Sequence, residues 1–423
     1  MYSGGGMHHF QYKGNELFAE EVAVKDIVAS VGSPVYIYSH ATLERHYTAM
    51  DEAFAPVPHT ICYSMKANSN LAVLKTFFNL GGGVDIVSGG ELYRALAAGV
   101  DPKKVVYSGV GKKDDEIEYA LNSGILLFNV ESEEELDRID QVAGRLGKKA
   151  GIAIRVNPDV DPETHPYITT GLKKAKFGIN IERSLEQYQR AARMANLDVI
   201  GVDCHIGSQL TKVSPFIDTV KKLKRLIEGL KESGIALKYF DLGGGLGITY
   251  SDEAPPLPAE YGEAIVAETK DLGLHLLFEP GRNLVGNAGI MVAKCLYTKQ
   301  GDEKNFVIVD AAMNDLARPS LYGSYHGVQA VKKDQQGTVV ADIVGPICES
   351  GDFLAKDREM PAFKQGDLIA FMSAGAYGFT MSSNYNSRPR AAEVMVKGNS
   401  FFVVREREKV EDLVRGEKVP SFL

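Results

Sequence analysis

Between residues 60 and 279 the chain keeps one rhythm: a short apolar, β-rich run, then a longer stretch whose apolar positions repeat at helical spacing. The β-rich runs fall at 60–65, 84–87, 104–108, 125–130, 151–156, 198–204, 237–242 and 274–279. Helical stretches lie between them at 70–80, 89–98, 113–123, 132–146, 183–195, 214–231 and 259–271, and Thr42 to Phe54 supplies an eighth ahead of the first strand. Strands alternating with helices predict parallel pairing through crossover helices. Eight such units over this length predict a closed (β/α)8 TIM-type barrel. A doubly wound open sheet is the alternative, but such sheets usually carry fewer strands.

The pattern changes after about residue 285. Ile290 to Tyr297, Phe306 to Val309, Thr338 to Val344, Asp367 to Met372, Ala391 to Val396 and Ser400 to Val404 read as strands with no long helices between them. Turn signals at Gly301-Asp302, Gln336-Gly337 and Gly366-Asp367 punctuate them. A second, all-β domain of sandwich-like or barrel-like type is expected. The predicted organisation is a disordered leader over 1–7, an N-terminal segment over 8–38 that joins the β domain, the barrel over 39–285 and the β domain over 286–423. The N-terminal segment is expected to hold a short helix near Ala19 to Val31.

Composition adds exclusions. With 44% hydrophobic and 24% charged residues in 423, the chain can bury sizeable cores. Lys+Arg 47 against Asp+Glu 55, a net charge of −8, argues against a nucleic-acid or anionic-membrane partner. No run approaches 18 uninterrupted apolar residues, so no membrane span is expected. Cys62, Cys204, Cys295 and Cys348 are scattered, without C-x-x-C or metal-ligand spacing, which suits a reducing cytoplasm and predicts no metal site.

Barrel chemistry sits at the C-terminal ends of strands. Those positions hold Lys66, Asp85 with Ser88, Ser108, Asn129, Arg155 with Asn157, His205 with Ser208, the Asp241 to Gly247 loop, and Glu279 with Gly281 and Arg282. Each has an ordinary alternative: a surface lysine, a structural histidine, a tight glycine turn, a Glu279–Arg282 pair. The combination is harder to dismiss. Gly243, Gly244 and Gly245 let backbone N–H groups approach an anion, and they match a dinucleotide fingerprint poorly because Ile248 stands where a glycine is needed. Barrel phosphate sites often follow strands seven and eight. A strand-end lysine, a phosphate nest, an acid for a ring nitrogen and a flat histidine ring together describe a site for pyridoxal 5'-phosphate.

Three later stretches carry further polar groups. Asn314 to Tyr322 sets Arg318 beside a proline turn with Tyr322 four residues on. Val344 to Asp352 holds Cys348 and Glu349 in a loop braced by glycine and proline, and Ala374 to Gly378 flanks Tyr377 with glycines. Lys66-Ala67-Asn68, His205-Ile206-Gly207-Ser208, the triple glycine, Glu279-Pro280-Gly281-Arg282, Cys348-Glu349-Ser350-Gly351-Asp352 and Ala376-Tyr377-Gly378 follow one another in the order seen in the diaminopimelate decarboxylases, and the chain resembles that family from about residue 10 to 420.

The resemblance implies removal of carbon dioxide from the D-centre of meso-2,6-diaminopimelate to give L-lysine, the last step of lysine biosynthesis. It implies that Lys66 carries the cofactor. Asp85, Arg155, His205, Ser208, Gly243, Gly244, Gly245, Glu279, Gly281, Arg282 and Tyr377 would surround it. Arg282, Arg318, Tyr322, Glu349 and Tyr377 match substrate positions, Cys348 the proton donor, and Lys66, Cys348 and His205 the catalytic set. In the family the Cys-Glu loop reaches a neighbouring subunit's site, which implies a homodimer with shared sites. The residues favour this substrate too: its distal end presents a carboxylate for Arg282 and Arg318 and an ammonium for Glu349. Ornithine-type substrates lack that carboxylate. A basic amino-acid decarboxylase or racemase, and a non-catalytic homologue, are the alternatives.

Overall fold

A computed structural model describes residues 8–160 and 176–423. The expected leader over 1–7 lies outside the described residues. The described residues divide into two compact units, one of residues 44–160, 176–249 and 253–284, the other of residues 8–43, 250–252 and 285–423.

The first unit is a closed barrel of eight parallel strands: His59–Ser64, Gly83–Ile86, Val105–Tyr107, Leu127–Val130, Ala150–Asn157, Leu197–Asp203, Tyr239–Asp241 and His275–Phe278. The last pairs with the first, so no edge remains in the ring. A two-residue strand, Ile179–Asn180, adds to the outer end of the fifth. Strand interiors are apolar because both faces are covered: Cys62, Val106, Leu127, Ala153, Ile200 and Leu277 form one buried cluster. Helix starts are set locally. Asn70 accepts the N–H of Ala72, Ser88 that of Glu91 and Ser132 that of Glu135, each side chain satisfying an otherwise orphaned donor at a helix start. Register places the functional ends side by side, with Ser64 opposite Asp85, Arg155 opposite Asp203 and Asp203 opposite Asp241.

The second unit is a sheet in which Gly289–Gln300 is the longest strand, paired with Val35–Ser39, Asn305–Val309 and Leu368–Phe371. Val35–Ser39 lies between Gly289–Gln300 and Ala392–Lys397, and all five of its residues are buried. Two expectations need correction. Residues 19–23 are not helical: Phe10–Lys13 and Glu16–Ala19 form a hairpin, joined by Val22–Ala23, and the helix runs only over Val24–Val31. Half-buried and buried residues alternate along Glu16–Ala19, the two-residue period of a strand. Arg318 begins a short helix, Arg318–Tyr322, with Pro319 in its first turn, rather than a simple turn. Phe353–Pro361 forms a further strand that the sequence pattern does not predict. Among the described residues no helix is long and apolar enough to cross a membrane.

Candidate active site

The first barrel strand ends in a tight turn. Ala67 N–H bonds back to the Ser64 carbonyl, Ser64 N–H reaches the Pro280 carbonyl, and Met65 N–H that of Asp85. Lys66 is thereby held at the rim, 40% exposed, with Nζ 2.8 Å from Oδ2 of the fully buried Asp85. Ser64 Oγ lies 2.7 Å from the same carboxylate oxygen and 2.9 Å from the Glu279 carbonyl. The second oxygen, Asp85 Oδ1, is buried and has no hydrogen-bond partner among the described residues.

Glu279 ends the eighth strand and is buried. Its Oε1 accepts from Ser108 Oγ and Asn129 Nδ2, both at 3.1 Å. Its carboxylate lies beside those of Asp203 and Asp241, with one oxygen of each within 4.8 Å of the others. Burial, then the charges of Asp241 and Asp85, push the Glu279 carboxyl well above its ordinary range, against the pull of Lys66 and Arg155. Burial and Asp203 push Asp241 upward in the same way, opposed by the Gly243 N–H. Like charges this close in a dry interior cannot all ionise, so the cluster retains protons. Arg155 is the counter-charge: Nη1 lies 2.7 Å from Glu131 Oε1 and Nε 4.0 Å from Asp203. Burial works against its charge, and the carboxylates of Glu131, Asp203 and Glu279 more than restore it.

His205 follows the sixth strand. The Gly244 N–H donates to its Nδ1 at 3.1 Å, so that nitrogen bears a lone pair and the ring is neutral. Burial, with the cations Arg155 and Lys66 nearby, lowers its pKa well below the usual value. The triple glycine answers to close backbone approach at the barrel rim. A Cβ on Gly243 would stand 2.6 Å from the Cys204 carbonyl, one on Gly245 2.5 Å from that of Gly207, and one on Gly244 would run into that of Glu279. The N–H groups of Gly243 and Gly244 are committed to Asp241 and His205. An anion cradle here therefore begins at Gly245. Arg282 Nη2 lies 3.2 Å from Ser208 Oγ, joining the sixth and eighth strand ends, and a Cβ on Gly281 would press on Ser64 and Ala67.

In the second unit, buried Arg318 places Nη1 3.0 Å from His326 Nε2 and its guanidinium 4.7 Å from the Tyr250 ring centre. Tyr322, on the same short helix, is exposed. The Cys348 thiol is exposed, its N–H donating to Asn386 Oδ1 at 2.9 Å. Glu349 Oε2 accepts from Tyr385 Oη at 2.7 Å. Buried Asp352 holds this loop by accepting from Met313 and Ile347 N–H groups. Tyr377 adopts a left-handed backbone, φ 56°, a conformation that costs a non-glycine residue of order 1 kcal/mol.

Thus the barrel gathers Lys66, Asp85, Arg155, His205, Ser208, Glu279 and Arg282 at one rim. Arg318 stands with Tyr250 and His326, and Cys348 and Glu349 share a loop. Sequence reasoning missed Asp203 and Glu131. Their signal is position: Asp203 is the last residue of a buried strand and Glu131 directly follows one.

Residues 40–286 match the family described as pyridoxal-dependent decarboxylase, pyridoxal binding domain. Across almost the whole chain, similarity extends to curated enzymes named diaminopimelate decarboxylase. The chain is 54% identical to the one from Pseudomonas aeruginosa and 52% to the one from Vibrio cholerae, each covering 98% of this chain and 99% of the relative. The chain belongs to the diaminopimelate decarboxylase family. A diaminopimelate decarboxylase from Helicobacter pylori, solved in complex with L-lysine, superposes with a TM-score of 0.90 at 42% identity, over 92% of this chain and 98% of that one. Membership covers both units, so the β-rich unit is as much a family feature as the barrel.

Proposed function

We propose that this protein decarboxylates meso-2,6-diaminopimelate at its D-centre to L-lysine and carbon dioxide, with pyridoxal 5'-phosphate as cofactor. The observation that carries the reading is Lys66: a primary amine at a barrel strand end, 2.8 Å from a buried carboxylate whose other oxygen has no partner among the described residues. The surroundings fit the cofactor. A buried acid, Glu279, is available for a basic ring nitrogen, neutral His205 adds no charge against the ring, and Gly245, Gly281, Ser208 and Arg282 form a side suited to a phosphate. When bound, the cofactor supplies a ring that accepts the electron pair left as the carboxyl group departs.

The chain's own residues do the rest. Lys66 joins the cofactor through its amine, and Asp85 holds that amine in place. Asp203 and Asp241 keep Glu279 close to a proton, and Arg155 balances their charge. Arg282 and Arg318 take the distal carboxylate, Glu349 the distal ammonium, and Tyr322 and Tyr377 line the substrate. Cys348 delivers a proton to the α-carbon. On this reading residues 39–285 hold the cofactor, while 8–38 and 286–423 form the domain that selects the amino acid. The protein acts as a homodimer whose Cys348–Glu349 loop serves the neighbouring subunit. The four unpaired cysteines suit the reducing cytoplasm, where we place the activity.

Protein incubated with pyridoxal phosphate and meso-diaminopimelate should form L-lysine and carbon dioxide. Ornithine, arginine and lysine should release none. Lys66→Ala should lose the visible absorption of tightly held cofactor and nearly all turnover. Normal absorption in that variant, or carbon dioxide from ornithine at a comparable rate, would sink the reading.

A further inference from the structure

Arg318 is an unusual place for a long cation, nearly fully buried and opening a helix of only five residues. What holds it is more informative than its exposure. His326, completely buried, lies with Nδ1 2.9 Å from the Met372 carbonyl. A carbonyl only accepts, so Nδ1 carries the hydrogen, and Nε2 keeps a lone pair that takes the N–H of Arg318. The histidine is thus neutral and fixed in one tautomer. Its backbone is anchored too: its carbonyl accepts from Arg358 Nη1 at 3.2 Å, and Met372 N–H bonds to the Gly327 carbonyl at 2.8 Å. Tyr250 meets both partners. Its face lies 4.7 Å from the guanidinium carbon, and its ring stands at 83° to that of His326 at 5.7 Å.

We infer that His326 and Tyr250 are positioning residues that fix the guanidinium of Arg318 in one orientation for a substrate carboxylate, and so set the selectivity for an amino acid with a carboxylate at its far end. This rests on the proposed role of Arg318. A guanidinium recognises a carboxylate through a planar fork, and an arginine free to rotate must surrender that freedom on binding. The tyrosine face limits tilt, and the histidine lone pair limits roll. An ammonium has no fork to orient, so a diamine without carboxylates gains nothing from this arrangement.

The test uses the holoenzyme. Calorimetric titration with L-lysine, which keeps one carboxylate, is compared with 1,5-diaminopentane, which has none, beside decarboxylation kinetics. His326→Asn retains a donor for the Met372 carbonyl but removes the acceptor for Arg318. His326→Gln can place an amide oxygen near the Nε2 position. Relative to wild type, His326→Asn should raise KM for diaminopimelate and weaken L-lysine roughly tenfold. It should leave kcat within about twofold and diaminopentane affinity unchanged. His326→Gln should recover most of the loss, and Tyr250→Leu should follow His326→Asn while Tyr250→Phe stays near wild type. Should His326→Asn not fold, the two Tyr250 variants carry the same comparison. Equal weakening of L-lysine and diaminopentane, or no change in either, overturns the inference. Arg318→Met separates the two levels. If it weakens L-lysine while His326→Asn and Tyr250→Leu do not, only the positioning role fails. If Arg318→Met leaves L-lysine unaffected, the substrate reading of Arg318 fails and the inference with it.

Discussion

Replacing Asp315 by asparagine should stabilise the protein at neutral pH and leave it nearly unchanged in acid. Asp315 is 1% exposed and stands three residues before Arg318. Its Oδ2 accepts the Ala312 N–H at 3.0 Å. Burial pushes the carboxyl from 3.8 up to about 7, overriding that hydrogen bond and the attraction of Arg388. Unfolded, the same group ionises near 3.8, so between the two values the folded protein holds the extra proton. The stabilisation is whole below the unfolded pKa and disappears as pH rises to the folded one. At 1.36 kcal/mol per pH unit the full span amounts to about 4 kcal/mol. Asparagine imitates the protonated acid, keeps an oxygen for Ala312 and does not titrate. Calorimetric Tm of wild type and Asp315→Asn, followed from pH 4 to pH 8, should therefore diverge in favour of the variant as pH rises. Curves that stay parallel, or a variant that loses stability fastest in alkali, would refute the reasoning.

Two further outcomes follow from the barrel. Lys112 and Glu135 form a buried ion pair, 1% and 8% exposed, and Lys112 Nζ also reaches the Gly109 and Asn129 carbonyls. Lys112→Met should cost about 3–5 kcal/mol by stranding the carboxylate, and Lys112→Met with Glu135→Leu should regain part of it in urea unfolding. Gly244→Ala should force the Glu279 backbone to shift and break the Gly244–His205 bond. Its measured signature is weaker retention of pyridoxal phosphate on dialysis, with barrel secondary structure kept in circular dichroism. Full retention would mean that the close approach at Gly244 has no bearing on cofactor binding.

The barrel is legible in sequence because the middles of its strands are buried on both faces and mostly apolar, with polar residues gathered towards their ends, while the caps Asn70, Ser88 and Ser132 punctuate the rhythm. The N-terminal hairpin is harder. Its strands are four residues long, and the turn between them carries its signal in Gly14, φ 63°. Phe353–Pro361 escapes because it is an edge strand with Lys356, Asp357, Arg358 and Glu359 along it, the charges that protect an edge from pairing further. In the site, Lys66 and Glu279 are readable as strand-end residues. The acid cluster is not, since an aspartate at a strand end is ordinarily solvated. Only the register that aligns Arg155, Asp203 and Asp241 reveals that these charges share one dry volume.

The central place of Val35–Ser39 in its sheet bears on how the chain is made. Its parallel partner begins at Ala392, 357 positions after Val35. At ribosomal speeds of about 5–20 residues per second, that partner emerges roughly 20–70 s later. Its antiparallel partner begins at Gly289, so the apolar run Val35-Tyr36-Ile37-Tyr38 waits with neither neighbour while the barrel residues are being synthesised, and keeps one open edge until Ala392 emerges. The nascent protein thus carries a sticky strand during translation, and truncations between residues 300 and 392 would leave one of its edges open. Solubility during synthesis should therefore depend on the strand that begins at Ala392 as well as on the barrel that precedes it.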